Sequence, residues 1–210
     1  EFIQHAPENR LADSSGEKAW EDCLVGFSNG ADPIFAAYKT HVGPFHKTPL
    51  EWFRQTFPEA DPDPAGLTVV SWILAQTEPT KRDNRQETAY PAERWARARI
   101  FGEKMNAALR SRVVAALHDK GYRAVAPQLS PHWEKKTSDR FGYASTWSER
   151  HAAYASGLGT FGLCDGLITT RGKAVRAGSV VARLEVAPTP RPYDDHQAYC
   201  LFFSHGTCGK

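Results

Sequence analysis

The spacing of apolar positions changes along the chain, and each change predicts an element. Leu67 to Leu74, "LTVVSWIL", is an unbroken apolar run rich in β-branched residues, bounded by Gly66 and the polar "TEPTKRDN". It predicts a buried central strand. From Pro91 to Lys120 the apolar residues recur at three- and four-residue steps through Trp95, Ala98, Phe101, Met105, Leu109, Val113 and Leu117, with Gly121 as the stop. That period predicts one long amphipathic helix. "YRAVAP", Tyr122 to Pro127, then reads as a second strand and closes a strand-helix-strand unit. The first 65 residues are rich in turn formers and predict short helices, one over Pro49 to Phe57 with proline at its start.

Beyond the long helix the pattern is finer. Arg140 to Thr146 reads as a loop, and Thr146 with Glu149 three residues on forms a capping-box pattern that opens the helix "WSERHAAYAS". Gly157 is placed as its C-terminal cap. Gly166 to Thr170 and Ser179 to Val186 read as strands joined by "RGKAVRAG", and the proline-rich Ala187 to Asp195 reads as a linker. The expected organisation is a domain over 1–186, followed by a linker and the start of another unit over 187–210.

Composition narrows the class. The 210 residues are 41% hydrophobic and 24% charged, and no apolar run in them approaches the roughly 18 residues of a membrane span. The formal charge of +2 is too small to imply nucleic acid or membrane unless it is concentrated locally. One such concentration exists, because Lys81 to Arg112 holds nine basic residues against four acidic ones. It reads as a solvated helix face, or as an anion or nucleic-acid backbone site. The chain opens "EFIQHAPENR" without an initiator Met or the pattern of an export signal, and it closes "YCLFFSHGTCGK". A cytoplasmic, excised segment is the expectation, with the four cysteines in metal ligation or burial ahead of disulfides.

Several chemical motifs are excluded. Gly157-Leu158-Gly159-Thr160-Phe161-Gly162 matches G-x-G-x-x-G, yet it follows a helix and runs toward a strand, and Glu185 lies inside a strand where an acidic strand end is needed. A dinucleotide site needs the reverse order. Two readings remain open: a helix cap with glycines at positive φ, or backbone laid close against a flat ligand. The eight histidines form no H-E-x-x-H, and "DDHQAY" lacks the glycine of a D-x-H-x-x-G cobalt-ligating signature. No G-x-S-x-G elbow or P-loop is present.

"SERHAAYASGLGTFGLCDGLIT" from Ser148 to Thr169, then Gly178-Ser179-Val180, then "GTCGK", resembles the epoxyqueuosine reductase family and its relatives, the corrinoid reductive dehalogenases. The resemblance covers Tyr143 to Lys210 well and the earlier chain loosely, in "SWIL" and "GEKMNAALR". It implies an α/β (α+β) sandwich, nitroreductase-like and corrinoid-binding, followed by a ferredoxin-like domain that is cut here. It also implies cobalamin and [4Fe-4S] clusters, an electron donor, and a small-molecule or modified-nucleoside substrate, with tRNA as a possible partner and no membrane.

Residue by residue, the resemblance places backbone of Gly157, Leu158, Gly159 and Gly162 against the corrin, with Gly178 and Ser179 at its amide side chains and Arg150 and His151 at its tail. Cys208 would open the cluster run and Cys200 would join it as a metal ligand. Counting back from Glu149-Arg150, the family's catalytic acid falls on Tyr143. The dehalogenase relatives use tyrosine as proton donor, so the resemblance implies an acid role for Tyr143 and a substrate other than epoxyqueuosine. The expected activity is a cobalamin- and iron-sulfur-dependent reductase, silent in this shortened form. A non-catalytic corrinoid or tetrapyrrole carrier and a flavin nitroreductase-like enzyme are the alternatives.

Overall fold

A computed structural model describes residues 1–12 and 15–207. In chain order its elements are α1 (Phe2–His5), β1 (Leu24–Asn29), α2 (Pro33–His41), α3 (Pro49–Thr56), β2 (Thr68–Ala75), α4 (Glu78–Gln86) and α5 (Glu93–His118). They continue with β3 (Ala124–Val125), β4 (Lys135–Ser138), β5 (Gly142–Ser145), α6 (Glu149–Ala155), β6 (Thr160–Phe161), β7 (Leu167–Ile168), β8 (Val175–Ala182) and α7 (Leu201–His205). The central sheet has the order β1-β2-β8-β3 with antiparallel neighbours, an α+β arrangement.

Alternation along β2 and β8 builds a layer on each face of the sheet. Val69 and Val181 enter a core with Phe35, Trp52, Phe53, Trp147 and Ala152, whereas Trp72, Leu74 and Val180 enter another with Trp20, Ala98, Met105 and Leu109. The period of two therefore sends α5 to one face and α2, α3 and α6 to the other. β2 is buried along nearly its whole length, as its continuous apolar run predicts.

Four expectations change. The second long strand runs over Val175–Ala182 rather than Ser179 to Val186, because all eight residues of β2 pair with it, from Thr68↔Ala182 to Ala75↔Val175. The connector "RGKAVRAG" therefore supplies half of a central strand. The strand-helix-strand pattern leaves open whether its two strands are neighbours, and in the sheet β8 lies between β2 and β3. Leu24–Asn29 is an edge strand where short helices were expected, and Lys135–Ser138 with Gly142–Ser145 forms a hairpin where a loop was. The capping box at Thr146 does not form: the N-cap of α6 is Ser148, and Thr146 Oγ1 accepts from the Glu134 amide.

Candidate functional site

Three buried polar groupings surround α6, and each ties it to a different element. The first runs through Trp147, whose indole N–H donates to Ser179 Oγ at 3.0 Å, while the Ser179 hydroxyl donates to Glu149 Oε2. Glu149 Oε1 pairs with Arg110 at 3.1 Å, and Arg110 reaches Glu103 at 2.7 Å on its own helix. Arg176 of β8 completes the chain at Glu103. Arg110 is almost wholly buried and Glu149 nearly so, whereas Glu103 is about half exposed, so the alternation of two guanidinium and two carboxylate groups runs from the interior out to the surface. Burial raises the Glu149 carboxyl to about 6, against the opposing pull of Arg110 and Ser179.

The second grouping is aromatic and basic. His46, buried, stacks on Trp147 at 6.1 Å and lies 5.9 Å from His151, with Tyr38 edge-on to both at 5.5 and 4.7 Å. The Tyr38 hydroxyl donates to the His151 carbonyl, and His151 Nδ1 meets Ser148 Oγ at 2.8 Å. Neither ring nitrogen of His46 has a partner among the described residues. Desolvation lowers His46 to about 4 and His151 to about 3, so both rings are neutral at ordinary pH. The third grouping is a hydroxyl chain, Ser28 to Ser156 at 3.2 Å and Ser156 to Ser71 at 2.9 Å, which pins the end of α6 to β1 and β2.

The glycine turn follows directly. Gly157 has φ +77 and its N–H bonds Tyr154, with Leu158 bonding Ala153, so the helix-cap reading holds at this glycine. Gly159 and Gly162 do not share the positive φ. They are small for another reason. A Cβ on Gly159 would sit 2.3 Å from the Ile168 carbonyl oxygen, one on Gly157 2.5 Å from that of Pro190, and one on Gly178 2.5 Å from the Trp72 ring. The close approach that these glycines permit is thus to the chain's own backbone and indole. Leu158 fills a small core with Ile73, Ala153 and Leu167, and the buried Ser179 hydroxyl is engaged on both sides.

The remaining candidates lie outward. Arg150 is exposed and donates to the Asp165 carbonyl. Tyr143, on the β4-β5 hairpin, is 59% exposed with the Lys135 ammonium 5.0 Å from its ring centre. Cys200 is buried beside the glycine turn, where the Leu163 amide stabilises its thiolate, and Cys208 lies outside the described residues. Among the described residues no three His, Cys, Asp or Glu side chains gather as a metal would need. The basic stretch is largely neutralised: Lys81 and Arg85 pair with Glu78, Arg82 with Asp83, Arg94 with Glu17 and Asp83, Arg97 with Glu93, and Arg110 turns inward. Within residues 187–195, Thr189 exchanges bonds with Phe27 of β1, Arg191 pairs with Asp32, and the Tyr193 hydroxyl donates to the Tyr154 carbonyl. No helix among the described residues is long and apolar enough to cross a membrane.

Sequence reasoning missed Arg110, Asn106 and His46. Asn106 accepts from the Trp72 indole at 2.9 Å and donates to the Ala177 carbonyl at 2.9 Å, one turn before Arg110. The signal was there: both fall on the apolar side of α5, in step with Gly102, Met105 and Leu109.

No family model and no curated protein matches this chain. A solved structure of epoxyqueuosine reductase from Bacillus subtilis, with its catalytic loop swung out of the active site, matches at 14% identity with a TM-score of 0.37. The match covers 84% of this chain and 45% of that structure, so the chain spans less than half the length of the protein it resembles.

Proposed function

We propose that this chain is the substrate-proximal part of an oxidoreductase of the epoxyqueuosine reductase type, dependent on cobalamin and iron-sulfur clusters. The observation that carries the reading is the meeting of Glu149 and Ser179. They belong to separate parts of the resembling pattern, the helix with Glu149-Arg150 and the Gly178-Ser179 strand, thirty positions apart in sequence. Their convergence on Trp147 and Arg110 gives the pattern a structural reason to occur as a set.

The same geometry redistributes the roles. In this reading Gly157, Gly159, Gly178 and Ser179 are not corrin contacts, since the chain's own atoms stand where a Cβ on each glycine would be and on both sides of the serine hydroxyl. They act as scaffold that fixes α6 against the sheet. Arg150 and Tyr143 remain open, a cation and a phenol on the outer side of the motif, and they are the residues proposed to face cofactor and substrate. Tyr143 would donate the proton that a developing anion requires.

Titration of hydroxocobalamin with the protein tests the reading. Shifted absorption bands with saturation support it. An unchanged spectrum at excess protein overturns it, and a shift obtained with flavin mononucleotide instead favours the nitroreductase-like alternative.

A further inference from the structure

Arg123 and Arg183 stand opposite each other at the end of the sheet. β3 pairs β8 through Ala124↔Ala182 and Val125↔Val181, and one step further the Arg183 amide donates to the Arg123 carbonyl at 2.9 Å. Side chains of such a pair leave the same face, roughly 5.5 Å apart at Cα. That face is the α3 side, because Val125 and Val181, two positions away on each strand, share a core with Trp52 and Phe53. Gly121 makes the placement possible: at φ +83, with its amide on the His118 carbonyl, it closes the turn after α5 and delivers Tyr122 and Arg123 to the sheet.

A cavity of about 550 Å³ is lined by the two arginines, by Glu59 and Asp61 of the segment after α3, and by Gly121 and Tyr122. Its charges do not balance. Arg123 lies over the Phe57 ring at 5.6 Å and pairs with Glu59 at 2.6 Å, and Asp61 takes Arg54 Nε at 2.9 Å. Arg183 has no carboxylate partner among the described residues, and Glu185, two residues on, lies toward Gly66. Like charges placed directly opposite across two strands destabilise a sheet. Two guanidiniums held in that register, one of them unpaired, leave an excess positive charge on the cavity wall.

We propose that this cavity binds the phosphate monoester of a sugar, with the phosphate bridging Arg183 and Arg123 and the sugar hydroxyls donating to Glu59 and Asp61. A carboxylate offers two oxygens, which one guanidinium fork saturates, whereas a phosphate monoester offers three and can serve both arginines. The carboxylates in the cavity suit vicinal hydroxyls, as acidic residues do at ribose sites. Apart from Tyr122 and Ala60 the lining carries no apolar side chain, which favours a sugar over a ligand with a large apolar body. No residue of the cavity belongs to α6 or to the β4-β5 hairpin, so the site stands apart from the cobalamin reading.

Calorimetric titration of the 210-residue protein at low ionic strength with ribose 5-phosphate, glucose 6-phosphate, ribose and inorganic phosphate tests the assignment. At least one sugar phosphate should bind saturably and more tightly than inorganic phosphate, with no heat from ribose alone. Arg183→Gln should weaken that binding by about tenfold or more through a lost charge-assisted bond. Its melting temperature without ligand should stay level or rise, since the variant removes a like-charge contact. Asp61→Ala should weaken the sugar phosphate more than inorganic phosphate. Binding of neither sugar phosphate, equal affinity for inorganic phosphate, undiminished binding by Arg183→Gln, or a lower melting temperature of that variant would overturn the proposal. These outcomes are read without cobalamin, so the two readings fail separately.

Discussion

Arg110 of α5 and Glu149 of α6 pair at 3.1 Å in the interior, joining the helix layers that lie on opposite faces of the sheet. Glu149 also takes the Ser179 hydroxyl, so one carboxylate ties α6 to both α5 and β8. Removing one partner of such a pair strands a buried charge. Arg110→Ala should cost about 3–5 kcal/mol in urea unfolding. Glu149→Gln should not carry that cost, since the neutral amide keeps a hydrogen-bond acceptor for Ser179 and Arg110 keeps Glu103.

The pH dependence of Glu149 has a definite sign. Its carboxyl is raised to about 6 from an ordinary 4.5, so the folded protein holds that proton more tightly than the unfolded chain does. The stability it contributes is full below pH 4.5 and falls by about 2 kcal/mol as pH rises through 6. Unfolding free energies of the unmutated protein and of Glu149→Gln, measured from pH 4.5 to 7, should converge toward the acid end.

His46 and His151 act in the opposite direction and with greater weight. Lowered to about 4 and about 3, both bind protons more tightly unfolded than folded. Their contribution is present above pH 6.5 and is lost as pH falls toward 4, at up to about 1.4 kcal/mol per pH unit for each ring. Lys39 and Glu51 face His46 with opposing effects, and Arg150 and His41 reinforce the depression of His151. Because His46 has no hydrogen-bond partner among the described residues, His46→Phe should keep the packing on Trp147 and flatten the acid limb of melting temperature against pH. An unchanged acid limb would remove His46 from this role.

Gly159→Ala distinguishes a packing joint from a ligand cradle. The added Cβ would meet the Ile168 carbonyl oxygen at 2.3 Å, and backbone on backbone cannot relieve that by rotating a side chain. A loss of about 3 kcal/mol in unfolding free energy is expected, at the upper end of overpacking costs. A protein of unchanged stability would mean that the space beside Gly159 is open.

How much of this was legible depended on whether the cause was local. The periodicity of α5 and the apolar run of β2 survive because each element carries its own burial pattern. The start of β8 at Val175 was hidden, since its first residues are half-buried, include Arg176 and Gly178, and become strand through pairing with β2. The Thr146-to-Glu149 spacing fits a capping box, but Glu149 finds a stronger partner in Arg110, which lies 39 residues away. Arg110 itself looked like one charge in a basic run. Only the phase of the helix tells it apart from Arg112, which stays exposed.

The most direct test of the central claim compares hydroxocobalamin affinity of the unmutated protein, Arg150→Ala and Ser179→Ala by absorption titration. The account predicts saturable binding, a loss of about tenfold or more for Arg150→Ala through a missing charge-assisted bond, and unchanged affinity per folded molecule for Ser179→Ala. Absence of binding in the unmutated protein, or a loss confined to Ser179→Ala, would contradict it.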